Sequence, residues 1–271
     1  MSSTKKNGKT TKKNGRGAVK PISVFLALII AIVGLGFGVT SPKVVELLGL
    51  EEVMQTFFPD YYGQSSGIGG DVEDLLLNLP DYSGSPYVTV NGNNPYFEDA
   101  EVKAAGASFE TYSDLDDLGR CGACTAGVGR DIMPTDDRGE IGSVKPSGWN
   151  QKKYAGLVEG NYLYNRCHLI GYQLTGENAN TKNLITGTRY LNVDGMLPFE
   201  NMVADYVKET GNHVLYRVTP LFSEDDLVAR GVLMEAKSVE DDGDGVLFCV
   251  FCYNVQPGIV IDYSDGSSRE K

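Results

Sequence analysis

Residues 162–200 contain the side chains whose types and spacing are best suited to chemistry. Arg166 and His168 stand two apart in a short apolar run, an Asn-rich polar stretch follows, and Asn192 and Glu200 come next. A histidine titrates near neutrality, so a neutral imidazole can take a proton from water. The chain has only 2 histidines, too few for a His-rich zinc site. One His beside amide and carboxylate oxygens suits water activation next to a hydrated Mg²⁺.

The motif Asn165-Arg166-Cys167-His168, followed by Asn183 and Asn192 within NLITGTRYLN, resembles the DNA/RNA non-specific endonucleases with a ββα-metal core. It is similar in particular to the streptococcal secreted-DNase branch. The family signature is Asp-Arg-Gly-His, so Asn and Cys replace Asp and Gly here, whereas Arg and His are kept. The resemblance covers residues 85–265. It implies Mg²⁺-dependent hydrolysis of phosphodiester bonds in DNA and RNA to 5′-phosphate products, with Mn²⁺ as the expected substitute for Mg²⁺.

The resemblance also implies catalytic roles. His168 is expected to be the general base, and the amide oxygen of Asn192 a ligand of a mostly hydrated Mg²⁺. The alternatives are a satisfied core histidine and an ordinary turn asparagine. Glu200 is expected to hold metal-bound water; the alternative is electrostatic stabilisation of a helix N-terminus. Because Gly195 and Pro198 lie between Asn192 and Glu200, one continuous helix through both is not expected.

Four further polar residues are predicted to act around the substrate. Arg166 and His168 share a face of a strand, and the resemblance implies that Arg166 contacts the phosphate or stabilises the transition state. A structural ion pair is the alternative. The resemblance implies that Asn183 orients His168 or the phosphate. Arg189 and Lys182 are predicted to contact backbone phosphates, with solvated surface charge as the alternative for Lys182.

A second segment, Asp137-Arg138-Gly139-Glu140, begins like the family signature but ends in Glu instead of His. It lies in a Gly-rich, Pro-flanked stretch with no Asn at the corresponding distance. It is therefore predicted to be a turn without a catalytic role. Trp149 in the nearby KPSGW is predicted to be a packing anchor. His213 matches no motif and is predicted to be structural.

The charge is divided unevenly along the chain. The net charge is −12, but residues 1–20 carry seven Lys or Arg and no acid. Removing this +7 from the total leaves −19 for the remainder, an unfavourable bulk charge for a protein that binds nucleic acid. Residues 161–192 differ, with three basic residues against Glu177 alone. We therefore expect a locally positive cleft on an acidic body, which holds DNA and RNA weakly through phosphate contacts.

The segment before the domain predicts export. Residues 21–40 (PISVFLALIIAIVGLGFGVT) are uncharged and close to the length that spans a bilayer, and the basic residues 1–20 favour an inside N-terminus. They are predicted to be a transmembrane anchor or a cleaved signal peptide, which places the domain on the extracellular face of the membrane or outside the cell. Residues 41–84 are predicted to hold a short helix and a Gly/Ser linker, residues 85–265 the nuclease domain and residues 266–271 a polar tail.

The domain is predicted to be α+β. The runs 213–219, 227–238 and 246–255 are separated by acidic or Gly-rich turns, which predicts an antiparallel meander. Residues 87–97 predict a further strand with an Asn-Gly turn. One amphipathic helix is predicted between the motif and the meander, with Pro198 in its first turn and Gly211 as its C-terminal cap. The predicted buried stripe of this helix is Phe199, Met202, Val203, Tyr206 and Val207.

The five cysteines leave other functions open. Cys121 with Cys124 and Cys249 with Cys252 have the Cys-x-x-Cys spacing found in zinc sites. However, residues three apart in a strand point to opposite faces, the wrong geometry for zinc at Cys249 and Cys252. Oxidised pairs and buried thiols are both consistent with the count. A Cys-pair zinc or redox protein, and a catalytically silent surface module that binds nucleic acid, are therefore the alternatives to a nuclease.

Overall fold

The computed structural model describes residues 72–271. The predicted basic tail, membrane span and first short helix lie outside the described residues, as does the linker up to residue 71. A helix that is long and apolar enough to cross a bilayer does not occur within residues 72–271. The described residues thus cover the predicted domain, and the anchor or signal peptide at residues 21–40 stays a prediction.

A six-stranded antiparallel sheet forms the centre of the described domain. Each strand pairs antiparallel with its neighbours. This agrees with the predicted α+β class. In spatial order the strands are β1 (Tyr87–Thr89), β8 (Leu247–Tyr253), β7 (Gly231–Ser238), β6 (Val214–Leu221), β3 (Cys124–Val128) and β2 (Phe109–Tyr112).

The predicted meander is confirmed as β6, β7 and β8, with two changes at strand ends. β7 begins at Gly231 rather than at residue 227, because the N–H of Val228 donates to the carbonyl of Tyr263 and leaves the sheet. The predicted strand at residues 87–97 ends at Thr89. The segment Asn91–Asn93 then forms a 3₁₀ turn in which all three residues have positive φ, so the Asn-Gly turn is present but closes no hairpin.

Both faces of the sheet are covered. The larger core lies between one face and the motif-bearing elements, and it contains Cys167, Leu191, Val203, Tyr216 and Phe248, among others. The second core lies on the opposite face and includes Leu75, Leu233, Cys249 and Phe251. Leu75 comes from helix α1 (Val72–Asn78), which therefore packs on this face of the sheet. A further helix, α2 (Asp99–Ala104), precedes β2 and begins with a capping box formed by Glu98 and Glu101.

The motif residues lie on a separate β-hairpin. β4 (Tyr164–His168) pairs antiparallel with β5 (Leu184–Thr188), and His168 stands opposite Leu184. The connection contains helix α3 (Tyr172–Thr175) and a 3₁₀ turn (Thr181–Asn183). His168 is thus the last residue of a strand, which fixes its backbone while leaving its ring at the strand end.

Helical backbone follows β5 directly. A π-helical segment, Leu191–Met196, continues into helix α4 (Leu197–Thr210). Pro198 lies in the first turn of α4, and Gly211 ends it with a left-handed φ of 76°, both as predicted. The predicted buried stripe is largely confirmed, but Met202 is 46% exposed and Ala204 is buried in its place.

The C-terminal residues form a third small sheet. β9 (Ile259–Ile261) pairs with β10 (Ser268–Glu270), so residues predicted to be a polar tail instead extend the folded domain. Ile261 of this hairpin packs with Trp149 against a small core around Tyr164. Trp149 is therefore a packing anchor, as predicted, and it reaches the cleft described below.

Candidate active site

A cleft of about 620 Å³ opens beside the motif-bearing hairpin. Arg138 and Asn192 line it together with two further arginines and three aromatic rings. The full lining is Arg138, Ile141, Trp149, Gln151, Tyr162, Tyr164, Asn165, Arg166, Arg189 and Asn192. Acidic side chains are absent from this lining, so the predicted positive cleft on an acidic body is present among the described residues.

His168 is held in one neutral tautomer by its two partners. Its Nε2 atom lies 2.8 Å from the backbone oxygen of Asn178, which can only accept a hydrogen bond, so Nε2 carries the proton. Its Nδ1 atom lies 3.1 Å from Nη2 of Arg138, which can only donate, so Nδ1 presents a lone pair. Burial lowers the pKa of His168 to about 4, and the positive charge of Arg138 acts in the same direction. The imidazole is therefore neutral at pH 7 with its basic nitrogen toward the cleft residue Arg138.

Arg138 is the functional residue that the sequence did not reveal. It belongs to the segment Asp137-Arg138-Gly139-Glu140, which was predicted to be a turn without a role. The segment is indeed irregular, but its guanidinium reaches both the cleft and His168. Gly139 permits this approach, because a Cβ there would lie 2.7 Å from Nδ2 of Asn178. The only signal in the sequence was an arginine before a glycine in a loop, 30 residues from the histidine.

Asn192 and Glu200 lie on one continuous helical run, contrary to the expectation from Gly195 and Pro198. The π-helical segment keeps the helical run continuous despite Gly195 and Pro198. Its backbone hydrogen bonds span five residues, and the N–H of Leu197 donates to the carbonyl of Asn192. A π-turn accommodates one extra residue. Eight positions then correspond to about seven in an α-helix, or roughly two turns, which places the two side chains on the same side of the run.

Glu200 is buried without a hydrogen bond or ion pair among the described residues. It is 9% exposed, and its carboxylate lies against Gly171, where a Cβ would come within 2.9 Å of it. Burial raises the pKa of Glu200 to about 8, while Arg138 opposes that rise. The structure therefore brings Glu200 to the same cluster as Arg138 and His168, but in an environment that favours its neutral form.

Arg166 lines the cleft, and two of its three guanidinium nitrogens already donate hydrogen bonds. Its Nε donates to the carbonyl of Val144 and its Nη2 to that of Gly142 at 2.8 Å, and the guanidinium lies 4.2 Å from the centre of the Trp149 ring. Nη1 has no partner among the described residues. Arg166 therefore holds the loop at residues 142–144 and has one nitrogen available for a phosphate.

Asn183 does not contact the imidazole or the cleft. It is fully buried, its Oδ1 accepts from the N–H of Ile170 at 2.8 Å, and its Nδ2 donates to the carbonyl of Ile170 at 3.0 Å. Its own carbonyl accepts from the N–H of Leu169. Asn183 therefore fixes the chain immediately after His168 through the backbone, and its predicted role in orienting His168 stays a prediction.

The two other predicted phosphate contacts lie in different places. Arg189 lines the cleft and forms an ion pair of 3.3 Å with the largely exposed Glu159. Lys182 does not line the cleft; it pairs with the exposed Asp114 at 2.5 Å. His213, predicted to be structural, pairs with Glu240 at 2.7 Å, apart from the cleft.

The residues at the cleft fit a hydrated divalent cation rather than an all-protein cage. Among residues 72–271 no three His, Cys, Asp or Glu side chains converge in a way that could hold a metal ion. Asn192 supplies an amide oxygen at the cleft wall, and Glu200 lies on the same side of its helix. Mg²⁺ keeps several waters when it binds to proteins and needs few direct ligands, so this donor set suits it.

The cysteines do not form the alternative zinc site. All five are free and buried. Cys249 belongs to the core on one face of the sheet and Cys252 to the core on the other, as expected for residues three apart in a strand. Cys121 and Cys124 lie near the backbone of residues 181–184. Since no three of these thiols converge on one point among the described residues, the zinc alternative loses its structural basis.

A hairpin with one histidine at its strand end, followed by a helix that carries an amide at the cleft and a buried carboxyl group on the same side, is the ββα arrangement of a nuclease. A model of the DNA/RNA non-specific endonuclease family matches residues 100–240, more than half of the chain. The chain belongs to this family and is an endonuclease. A comparison with curated protein sequences finds no match.

Solved structures of nucleases share the fold. NucA from Streptococcus agalactiae with a magnesium ion bound is 25% identical with a TM-score of 0.62, over 73% of this chain and 93% of that one. The metal-free form of NucA gives 25% identity and a TM-score of 0.61, over 76% of this chain and 100% of that one. The Sda1 nuclease with a bound zinc ion is 28% identical with a TM-score of 0.54, over 60% of this chain and 82% of that one. These likenesses agree with the streptococcal branch suggested by the motif.

Proposed function

We propose that this protein is a Mg²⁺-dependent, sugar-non-specific endonuclease that hydrolyses phosphodiester bonds in DNA and RNA, with His168 as its general base. One observation carries the proposal: the imidazole is neutral, its Nε2 proton is fixed by the Asn178 carbonyl, and its Nδ1 lone pair points to an arginine of the cleft. A base that is locked in orientation and unprotonated at pH 7 is what activation of water requires.

The proton transfer follows from this geometry. When a water molecule takes the place of Arg138 beside Nδ1, the imidazole accepts a proton from it as the oxygen attacks phosphorus. The positive charge that develops on the ring is shared through Nε2–H with the Asn178 carbonyl. Arg138, displaced from Nδ1, is then close enough to the same centre to neutralise charge on the phosphate oxygens.

Asn192 is proposed to hold a hydrated Mg²⁺ through its amide oxygen, with Glu200 placed to bind a water of that ion. The bound ion would neutralise charge on the phosphate and provide an acidic water for the departing 3′-oxygen. The related structures of NucA with magnesium and of Sda1 with zinc support a divalent cation. Mn²⁺ is the expected substitute.

Substrate contacts are proposed to be mainly to the backbone. Arg189 and the free Nη1 of Arg166 face the cleft, so both are available to phosphates, while Lys182 is proposed to act only at its margin, since Asp114 already holds it. Such contacts position the nucleic acid without reading its sequence. Extracellular action, on the membrane surface or after secretion, is proposed from the basic residues 1–20 and the apolar residues 21–40.

The test is cleavage of supercoiled plasmid and of ribosomal RNA by the full 271-residue chain, purified in detergent, with Mg²⁺, with Mn²⁺ and with EDTA. We expect random nicking and degradation of both substrates with either cation and no cleavage in EDTA. Undiminished cleavage in EDTA would contradict the metal requirement, and DNA or RNA that stays intact under every condition would favour the catalytically silent binding module.

The proposed ligand has its own test. Asn192→Ala is expected to raise the Mg²⁺ concentration for half-maximal cleavage at least tenfold, because ligands and their supports typically contribute at least this factor to metal affinity. Asn201→Ala is the matched control, since Asn201 lies exposed on the same helical run and bonds only Gln173. Equal Mg²⁺ titration curves for the two variants would exclude Asn192 as a ligand.

A further inference from the structure

The strand residue before the proposed base makes an unexpected contact with the proposed metal ligand. Sγ of Cys167 lies 3.1 Å from Oδ1 of Asn192, although 25 residues separate them in the chain. Cys167 is completely buried, whereas Asn192 reaches the cleft. The family signature has Gly at the position of Cys167, so this side chain is a feature of the present chain.

The surroundings determine which group donates. A thiolate in this core would be a buried charge without a cation in contact with it, so Cys167 keeps its proton. The sulfur also lies 3.4 Å from Sδ of Met196, a weak acceptor, and 3.9 Å from the backbone oxygen of His168. The amide oxygen of Asn192 is the nearest of the three at 3.1 Å and is a stronger acceptor than a thioether. The S–H group therefore donates to Oδ1 of Asn192.

The sequence makes room for this thiol. Gly187 lies on β5, two residues beyond Ile185, which is the partner of Cys167 in the hairpin. A Cβ at Gly187 would come within 2.6 Å of the Cβ and 3.2 Å of the Sγ of Cys167. A side chain at position 187 would force the thiol to move. The absence of a side chain at Gly187 therefore allows the Cys167 sulfur to lie where it contacts Asn192.

We propose that Cys167 is a positioning residue, whose S–H group donates to Oδ1 of Asn192 and holds that oxygen in the orientation required to bind the catalytic divalent cation. The inference rests on the proposed function of Asn192. An amide oxygen has two lone pairs. With one lone pair on the thiol, rotation about the side-chain bonds of Asn192 is restricted and the second lone pair stays available. Groups that orient metal ligands in this way commonly contribute 10–100-fold in metal affinity.

Three variants of the full chain separate a hydrogen bond from simple packing. Cys167→Ala removes the donor, and Cys167→Ser keeps a donor on a side chain of nearly the same size. Cys252→Ala is the matched control, because Cys252 is also completely buried in the same core and also contacts a methionine sulfur, that of Met234 at 3.5 Å, but does not contact Asn192.

The measurement is the Kd of Mn²⁺, obtained from the electron paramagnetic resonance signal of free Mn²⁺ during titration of each variant without nucleic acid. We expect the Kd to rise about tenfold in Cys167→Ala and to stay within about threefold of wild type in Cys167→Ser. Cys252→Ala should lower the Tm by a similar amount but leave the Kd unchanged. Circular dichroism verifies that each variant is folded.

Several outcomes would overturn the inference. An unchanged Kd in Cys167→Ala, an equal rise in Cys252→Ala, or a Kd in Cys167→Ser as weak as in Cys167→Ala would each show that the thiol does not act as a donor. If Cys167→Ala does not fold, the comparison of Cys167→Ser with Gly187→Ala decides, since only the latter displaces the thiol. Asn192→Ala is measured in parallel: if it binds Mn²⁺ like wild type, the proposed function of Asn192 fails as well, whereas weak binding there with a normal Kd in Cys167→Ala refutes only this inference.

Discussion

Two buried groups of charged residues lie on different elements of this protein, and they are organised in opposite ways. Glu235 is 1% exposed, and Arg217 donates to both of its carboxylate oxygens at 2.8 and 3.2 Å. Arg217 also pairs with Glu101, and the N–H of Tyr96 donates to Glu235. Every charge there has a partner of opposite sign, an arrangement that fastens the segment before α2 to the sheet.

The second group, formed by Glu200, His168 and Arg138 beside the cleft, lacks such pairing of opposite charges. Glu200 has no hydrogen bond among the described residues, and the single nearby cation, Arg138, donates to His168 instead. Burial shifts the pKa of Glu200 upward and that of His168 downward, so both favour their neutral forms. The charges around Glu235 thus have partners, whereas the carboxyl group of Glu200 has none among the described residues, as expected if a substrate or cation completes the proposed site.

The two histidines give the largest expected contrast. His168→Ala should lower the rate of plasmid cleavage about 10²–10⁴-fold, because loss of a general base has this effect. His213→Ala should leave the rate within about twofold, since His213 only pairs with Glu240 at the surface. Single-turnover cleavage of a labelled duplex measures both. A His168→Ala protein that is folded and cleaves near the wild-type rate would exclude His168 as the base.

Two arginines from one part of the chain give the next contrast. Arg138→Ala should lower the cleavage rate about 10²-fold, as for the loss of one group that stabilises transition-state charge. Arg130→Ala is the control, because its guanidinium bonds the carbonyl of Lys208 away from the cleft. Rates at saturating substrate distinguish catalysis from binding: if Arg138→Ala raises only KM, Arg138 binds the ground state and plays no special part in the transition state.

The two buried glutamates should respond in opposite ways. Glu235→Gln should lower the free energy of unfolding by about 3 kcal/mol, the lower end of the range for breaking a buried ion pair, because Arg217 keeps Glu101. Glu200→Gln should leave stability equal or higher, since a neutral amide replaces an unpaired carboxyl group, but it should reduce cleavage. Urea denaturation and plasmid assays on both variants test this, and a loss of stability in Glu200→Gln comparable to that in Glu235→Gln would contradict the contrast.

The pH dependence of stability gives the most specific contrast. The pKa of Glu200 rises from an ordinary 4.5 to about 8 on folding. Protonation of Glu200 therefore leaves the unfolding free energy at its full value below pH 4.5. The unfolding free energy falls as pH rises toward 8, because the unfolded chain then loses this proton while the folded protein still keeps it. The unfolding free energy of the wild type in EDTA should fall across this range by a few kcal/mol relative to Glu200→Gln, since each pKa unit corresponds to about 1.4 kcal/mol. Parallel curves for the two proteins would mean that Glu200 ionises normally.

Much of this organisation could be predicted from the sequence because it is local. The motif on β4, the apolar runs of the meander strands and the Pro198 and Gly211 ends of α4 depend on neighbouring residues alone. Met202 was predicted to be buried and is exposed, because the period of apolar residues identifies the buried side of a helix but not the exact centre of that side. Asn183 was predicted to orient His168 or the phosphate, and its side chain bonds the backbone of Ile170.

The parts that could not be predicted depend on tertiary contacts. Arg138 reaches His168 from a loop 30 residues away, and only the folded chain brings Gly139 against Asn178 to allow it. The contact of Cys167 with Asn192 is of the same kind. Proline and glycine at positions 198 and 195 argued for a broken helix, but a π-helical segment accommodates both without interruption.

That π-helical segment also sets how the gene for this enzyme can vary in length. Deleting one residue between Asn192 and Leu197 would let the run become an ordinary α-helix. Asn192 would then lie seven α-helical positions before the glutamate, which is nearly two full turns, so the two side chains would stay on the same side of the run. Adding one residue there would instead turn Asn192 by about 100° relative to the helix that follows. The extra residue of the π-helical segment can therefore be removed without changing the relative direction of Asn192 and Glu200, whereas a further insertion changes it.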